Sequence, residues 1–164
     1  MKWINRLREP WVLILIGPPM VGKSTFIKNY FSEIPHTVIS RDQIVMDVAQ
    51  TEDYNWAFNN VDQKLVDSVL HDRLASAADL GENAIIDMTN LSSKRRKYNL
   101  KFFGDDYYKV GVIFTIPEWE ELERRNKVRT EIENKTIPMH VVKNMISSYQ
   151  PIREDEPFDK IVSI

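Results

Sequence analysis

Residues Trp11 to Ser24 read WVLILI-GPPMVGKS. The first six form an unbroken apolar run between Pro10 and Gly17. Such a run predicts a strand buried on both faces, as in a parallel sheet. The next eight meet the pattern G-x-x-x-x-G-K-[ST] at Gly17, Gly22, Lys23 and Ser24. A strand, this loop and a helix opening at Lys23 stand in the order that phosphate binding requires. The N–H groups of the loop and of the helix N-terminus surround the phosphates. Lys23 would reach the β- and γ-phosphates and Ser24 would ligate Mg²⁺. Proline has no N–H to donate. Pro18 and Pro19 come early, however, and the donors are expected later, from Met20, Val21, Gly22, Lys23, Ser24 and Thr25. Met20 occupies a place where many such loops have glycine, which limits backbone freedom there. A fold remnant that binds no nucleotide is the alternative.

Outward from this loop, strands and helices alternate. The helix from Lys23 runs to Phe31, and HTVIS (36–40) predicts a second strand followed by a helix over about 41–49. Apolar residues at helical spacing predict one long helix over 55–80, with Gly81 as its stop. NAIID (83–87) predicts a third strand, 92–103 a basic helix, and YKVGVIFTI (108–116) a fourth strand. Pro117 opens a helix to about Val128, Pro138 precedes another to about Tyr149, and FDKIVSI (158–164) predicts a fifth strand. The fold class expected is α/β: a five-stranded parallel sheet with helices on both faces. Residues 1–164 are expected to form a single domain, with 50–54 and 129–136 as its flexible parts.

Composition fits this reading. Of 164 residues, 43% are hydrophobic and 28% charged, and the formal net charge is -2. That balance excludes attachment to nucleic acid by bulk positive charge, while a local basic groove stays open. Without cysteine there are no disulfides and no Cys-ligated metals, which is compatible with a cytoplasmic location. The run at 11–16 is too short for a secretion signal and no cleavage site follows it. No stretch approaches the ~20 apolar residues that span a bilayer. The three histidines have no metal-like spacing.

A GTPase would need a guanine-reading N-K-x-D segment, and the nearest string, ENKTI (133–137), lacks the aspartate. A kinase needs a base near the γ-phosphate, a metal-side acid and arginines for transition-state charge. Asp42 in ISRDQI (39–44) is the candidate base, although Ser40 and Gln43 also fit a capping box there. Asp87, ending the third strand, is the candidate Mg²⁺-side acid, directly or through water; a strand-end turn residue is the alternative. Arg125 and Arg129 lie four apart and would share a helix face, either as a lid over ATP or as a solvated ladder with Glu120, Glu121 and Glu123. SSKRRKY (92–98) could hold substrate phosphates or be plain helix surface.

The combined string GPPMVGKST…ISRDQI…IIDMTNLSSKRRK…ELERRNKVR…IP resembles the kinase domain of the bacteriophage-type polynucleotide 5′-hydroxyl kinases, from about Val12 to Tyr149. The resemblance implies a P-loop kinase fold with a helical lid over about 125–137, ATP and Mg²⁺ as cofactors, and the 5′-OH of RNA or DNA as acceptor. It implies Asp42, Lys23 and Arg129 as the catalytic set, with Arg125 helping to bind ATP. Arg41, Thr89, Asn90 and Ile137 would lie on the acceptor side, Ile137 as an apolar platform. The family places an arginine three residues after the aspartate, where this chain has Val45. Either Arg41, Arg95 or Arg96 supplies the missing contact, or the acceptor is a hydroxymethylated base or a small alcohol. The C-terminal third is also similar to the kinase-like domain of the nuclear ribonucleoprotein U family, which keeps a non-catalytic nucleic-acid-associated role open. A phosphatase domain, common in the phage type, is not expected after the fifth strand, and oligomeric state is left open.

Overall fold

The computed structural model describes all 164 residues. Five strands form one sheet in the order β2-β3-β1-β4-β5: β1 (Trp11–Ile16), β2 (Thr37–Ser40), β3 (Ala84–Asp87), β4 (Tyr108–Ile113) and β5 (Lys160–Ser163). Every pairing is parallel. All six residues of β1 are buried. Val12, Ile14 and Ile16 join one core while Trp11, Leu13 and Leu15 join the other, so alternate side chains serve opposite faces. That double burial is why the run is apolar without interruption.

The helices are α1 (Lys23–Phe31), α2 (Arg41–Ala49), α3 (Tyr54–Asn60), α4 (Gln63–Asp79), α5 (Ser93–Leu100), α6 (Trp119–Glu133) and α7 (Met139–Ser147). Helices α2, α3, α4 and α5 contribute Ile44, Ala57, Leu70 and Leu100 to the first core. Helix α1 contributes Phe26 and Phe31 to the second. The chain leaves β1 toward β2 on one side and leaves β3 toward β4 on the other. This divergence opens a crevice at the carboxyl ends of the strands. No helix is long and apolar enough to cross a membrane.

Several boundaries differ from the sequence reading. The single helix expected over 55–80 is two helices, because Val61 is extended and Asp62 starts α4 by accepting from Lys64 N at 2.9 Å. Its stop is as read: Gly81 (φ +66) and Glu82 donate to the carbonyls of Ala78 and Ala77, a Schellman closure. Strand β4 ends at Ile113 and not Ile116, since Phe114 N and Thr115 N make its last sheet-edge bonds. Pro117 lies outside α6, whose N-cap is Glu118. Helix α6 continues to Glu133 and closes at Asn134 (φ 51), so 129–133, most of the segment expected to be flexible, is helical.

Candidate active site

The phosphate loop bends sharply between β1 and α1. Met20 has φ 68 and Gly22 φ 103, so the unusual methionine occupies a left-handed position that suits glycine better. Gly17 is needed for a different reason: a Cβ there would stand 3.0 Å from Val21 Cγ2 and 3.2 Å from Phe114 Cβ. No side chain caps α1. Its first-turn amides therefore face the loop as free donors, the arrangement that receives a phosphate. Lys23 Nζ donates to the carbonyls of Gly17 (2.9 Å) and Pro18 (2.7 Å). Desolvation lowers its pKa to about 8, with Arg129 adding to the fall and Asp87 and Asp42 opposing it.

A cleft of about 1410 Å³ lies over this loop, bounded by α2, α3, the end of β3, α6 and the turn after it. One small ligand usually occupies ~300–1,000 Å³, so there is room for a nucleotide and a second reactant. Ser24, Asp42, Asp87, Thr89, Arg125, Arg129 and Ile137 all line it. Asp87 ends β3 beside Ser40, the end of β2. Burial pushes its carboxyl up; Lys23 and Arg129 pull it down, and Asp42 raises it further. Ser24 hydroxyl and Asp87 carboxylate are hard oxygen donors beside a phosphate loop, a set that fits Mg²⁺ completed by phosphate oxygens and water.

Asp42 sits in the first turn of α2, with Ser40 Oγ accepting from Gln43 N at 3.4 Å. Only half of the capping box forms, because Gln43 turns its side chain to Asp47 (2.8 Å). Ser40, not Asp42, supplies the side-chain cap; Asp42 lies in the first turn, where its charge also suits the helix dipole, and stands half-exposed in the cleft. Arg129 Nη2 is 3.8 Å from its Oδ2. Tyr54 Oη donates to the same oxygen at 3.2 Å. The guanidinium of Arg129 and the ammonium of Lys135 stand over the Tyr54 ring at 5.6 and 5.2 Å. Neither Tyr54 nor Lys135 is singled out by any sequence motif. Asp53, an N-cap bonded to Trp56 N at 2.9 Å, marks only that a helix starts at Tyr54.

Arg125 satisfies both readings of α6. Its Nε pairs with Glu121 at 2.6 Å, and its Nη1 donates to Met20 O at 2.9 Å, tying the lid helix to the phosphate loop. Glu123 instead accepts from Trp119 Nε1.

Two expected acceptor-side residues, Asn90 and Arg41, and one alternative source of the missing cation, Arg96, lie outside the cleft. Asn90 is buried and donates to Leu15 O (2.8 Å) while accepting from Asn99 (2.9 Å), so it braces β1 against the turn after β3. Arg41 faces away from the cleft, bonded to Asp67 and Gln63 at 2.7 Å each. Arg96 is fully buried in a bidentate pair with Glu156 (2.6 and 2.8 Å) and cannot reach a ligand. Val45 belongs to the core; the cleft-facing residue one turn after Asp42 is Met46.

Fold and site together define a P-loop nucleotide-binding domain of the kinase type. The model of the family described as AAA domain matches residues 12–152, and the chain belongs to that family. No curated protein matches it. A chain in the Pnkp1/Rnl/Hen1 RNA repair complex is 22% identical with a TM-score of 0.69, covering 86% of this chain and 44% of that one. This chain thus spans less than half of that relative's length. A protein of the PezAT chromosomal toxin-antitoxin system of Streptococcus pneumoniae is 18% identical with a TM-score of 0.67, covering 99% of this chain and 72% of that one. A gluconokinase from Sinorhizobium meliloti 1021 is 13% identical with a TM-score of 0.57, covering 96% and 83%. At these identities the likeness concerns the fold.

Proposed function

We propose that the protein is an ATP-dependent polynucleotide 5′-hydroxyl kinase. The observation that carries this reading is the convergence of Asp42, Arg129, Asp87 and Lys23 in one cleft above an uncapped helix N-terminus. Asp42 takes the proton of the acceptor hydroxyl as its oxygen attacks the γ-phosphorus. The bond from that phosphorus to the β–γ bridging oxygen breaks, and ADP leaves with the electron pair. Lys23 and the α1 amides hold the donor phosphates, and Arg129 moves from Asp42 to the transferring group as charge develops there. Ser24 and Asp87, the latter directly or through water, would hold Mg²⁺, which would neutralise donor-phosphate charge. Thr89 and Ile137 stand on the acceptor side, Ile137 as an apolar platform. The fold shared with a chain of an RNA repair complex supports a nucleic-acid acceptor.

A second reading, a small alcohol or hydroxymethylated base as acceptor, is favoured by the apolar Met46 and Val45 after the aspartate and by the fold shared with a gluconokinase. Label from γ-labelled ATP separates the two. Transfer to 5′-OH oligonucleotides supports the first; transfer only to a 5′-phosphorylated strand carrying hydroxymethylpyrimidine, or to neither acceptor, supports the second.

A further inference from the structure

The basic run 94–97 is divided by the fold. Arg96 is buried against Glu156 and Lys97 pairs with Asp155. Lys94 and Arg95 have no carboxylate within ion-pair distance. They line a separate groove of about 410 Å³ with Asp67, Leu70, Ser92 and Tyr98. The Arg95 guanidinium stands 5.9 Å from the Tyr98 ring centre, and Lys101 Nζ, outside the groove, 4.1 Å from it. The one acid in the groove, Asp67, is matched by Arg41 at 2.7 Å.

One ion pair links this groove to the candidate active site. Arg41, which bridges to the groove wall through Asp67, is the residue immediately before Asp42. Helices α4 and α5, which form its sides, both start at the carboxyl edge of the sheet where the cleft lies. We propose that the groove between α4 and α5 binds backbone phosphates of the acceptor strand on the 3′ side of the reacting end. The inference rests on the polynucleotide reading and adds to it the path of the strand. Unpaired Lys and Arg beside a polar-lined channel are what a phosphodiester backbone requires. The path leaves the cleft past Arg41 and needs no cation at Val45.

The test compares wild type, Lys94→Ala/Arg95→Ala and Lys97→Ala. Lys97→Ala removes charge from the same helix but on the side facing Asp155. Acceptors are a 5′-OH dinucleotide and a 5′-OH decanucleotide. The double variant is expected to raise KM for the decanucleotide about tenfold while leaving kcat and the dinucleotide KM unchanged, and Lys97→Ala to do neither. Binding of a 3′-labelled decanucleotide, read by anisotropy against salt, is expected to lose a slope of about 1.4 in the double variant, ~0.7 for each phosphate contact on a single strand. Equal effects on both acceptor lengths, equal effects of Lys97→Ala, or an unchanged salt slope would overturn the groove. Absence of transfer by wild type to either acceptor would overturn the polynucleotide reading instead, and the binding arm would still decide the groove.

Discussion

The hydroxyl of Tyr54 and the carboxylate of Asp42 form a 3.2 Å hydrogen bond across the cleft, joining the start of α3 to the start of α2. Burial, then the nearby Asp42 charge, pushes the Tyr54 phenol well above its ordinary value, so it remains a donor at any physiological pH. The bond holds one carboxylate oxygen and leaves the other for the acceptor. Tyr54→Phe keeps the buried ring and its packing on Phe58. A hydrogen bond to a charged group is worth ~1.5–3 kcal/mol. Steady-state kinetics should show kcat down at least tenfold with ATP affinity unchanged, and the melting temperature should fall by a few degrees. An unaltered kcat would show that Asp42 needs no such positioning.

The two lid arginines should separate by what they lose. Arg129 stands 3.8 Å from Asp42, whereas Arg125 is bonded to the phosphate loop through Met20 O. Arg129→Ala is expected to lower kcat about 10³-fold, in the range of arginines that stabilise transferring phosphoryl groups. Arg125→Ala is expected mainly to weaken ATP binding, by about tenfold. Titration calorimetry with ATP and single-turnover rates distinguish the two outcomes.

Much of this was legible in the sequence, and the failures share one cause. The apolar run at 11–16 and the loop at 17–24 could be read because their signals are local: double burial requires an unbroken run, and phosphate contact requires glycines at fixed spacing. Arg41, Asn90 and Arg96 lie away from the cleft because they bond to partners far along the chain. Glu156 is 60 residues from Arg96, and Leu15 is 75 from Asn90. The break at Asp62 was hidden because Val61 and Val66, on its two sides, pack on the same core. Tyr54 had no local signal at all; only the tertiary fold brings it to Asp42 and Arg129.

Met20 offers a test of the loop itself. A non-glycine residue in the left-handed region costs ~1–2 kcal/mol. Glycine relieves that cost but gives back ~0.4–1 kcal/mol of unfolded-state entropy. Met20→Gly should therefore leave the protein as stable or about 0.5 kcal/mol more so, with ATP affinity retained. Urea denaturation and ATP titration check both parts, and a loss of more than 1 kcal/mol would mean that the methionine side chain holds the loop.

Acid should unfold the protein partly through Glu156. Burial alone would raise its carboxyl, but the bonds from Arg96 and from the Arg153 N–H outweigh burial and hold it below the ordinary value of 4.5. The unfolded chain then binds the proton more readily than the folded one. This contribution is complete above the ordinary value and is lost as pH falls through the depressed folded value. Glu156→Gln leaves Arg96 buried and unpaired, and should cost about 3 kcal/mol at neutral pH while flattening the acid limb of the stability curve. Thermal melts across that range report both effects.

The central claim is that Asp42 acts as the base for phosphoryl transfer to a 5′-hydroxyl. It is tested most directly by following label from γ-labelled ATP, with Mg²⁺, onto 5′-OH RNA and DNA, using wild type beside Asp42→Asn. The amide keeps the shape of the side chain but cannot accept the proton. The wild type should label the 5′ ends, and Asp42→Asn should lose that activity by at least ~10²–10⁴-fold while binding ATP normally. Labelling that survives in Asp42→Asn would contradict the assignment of the base.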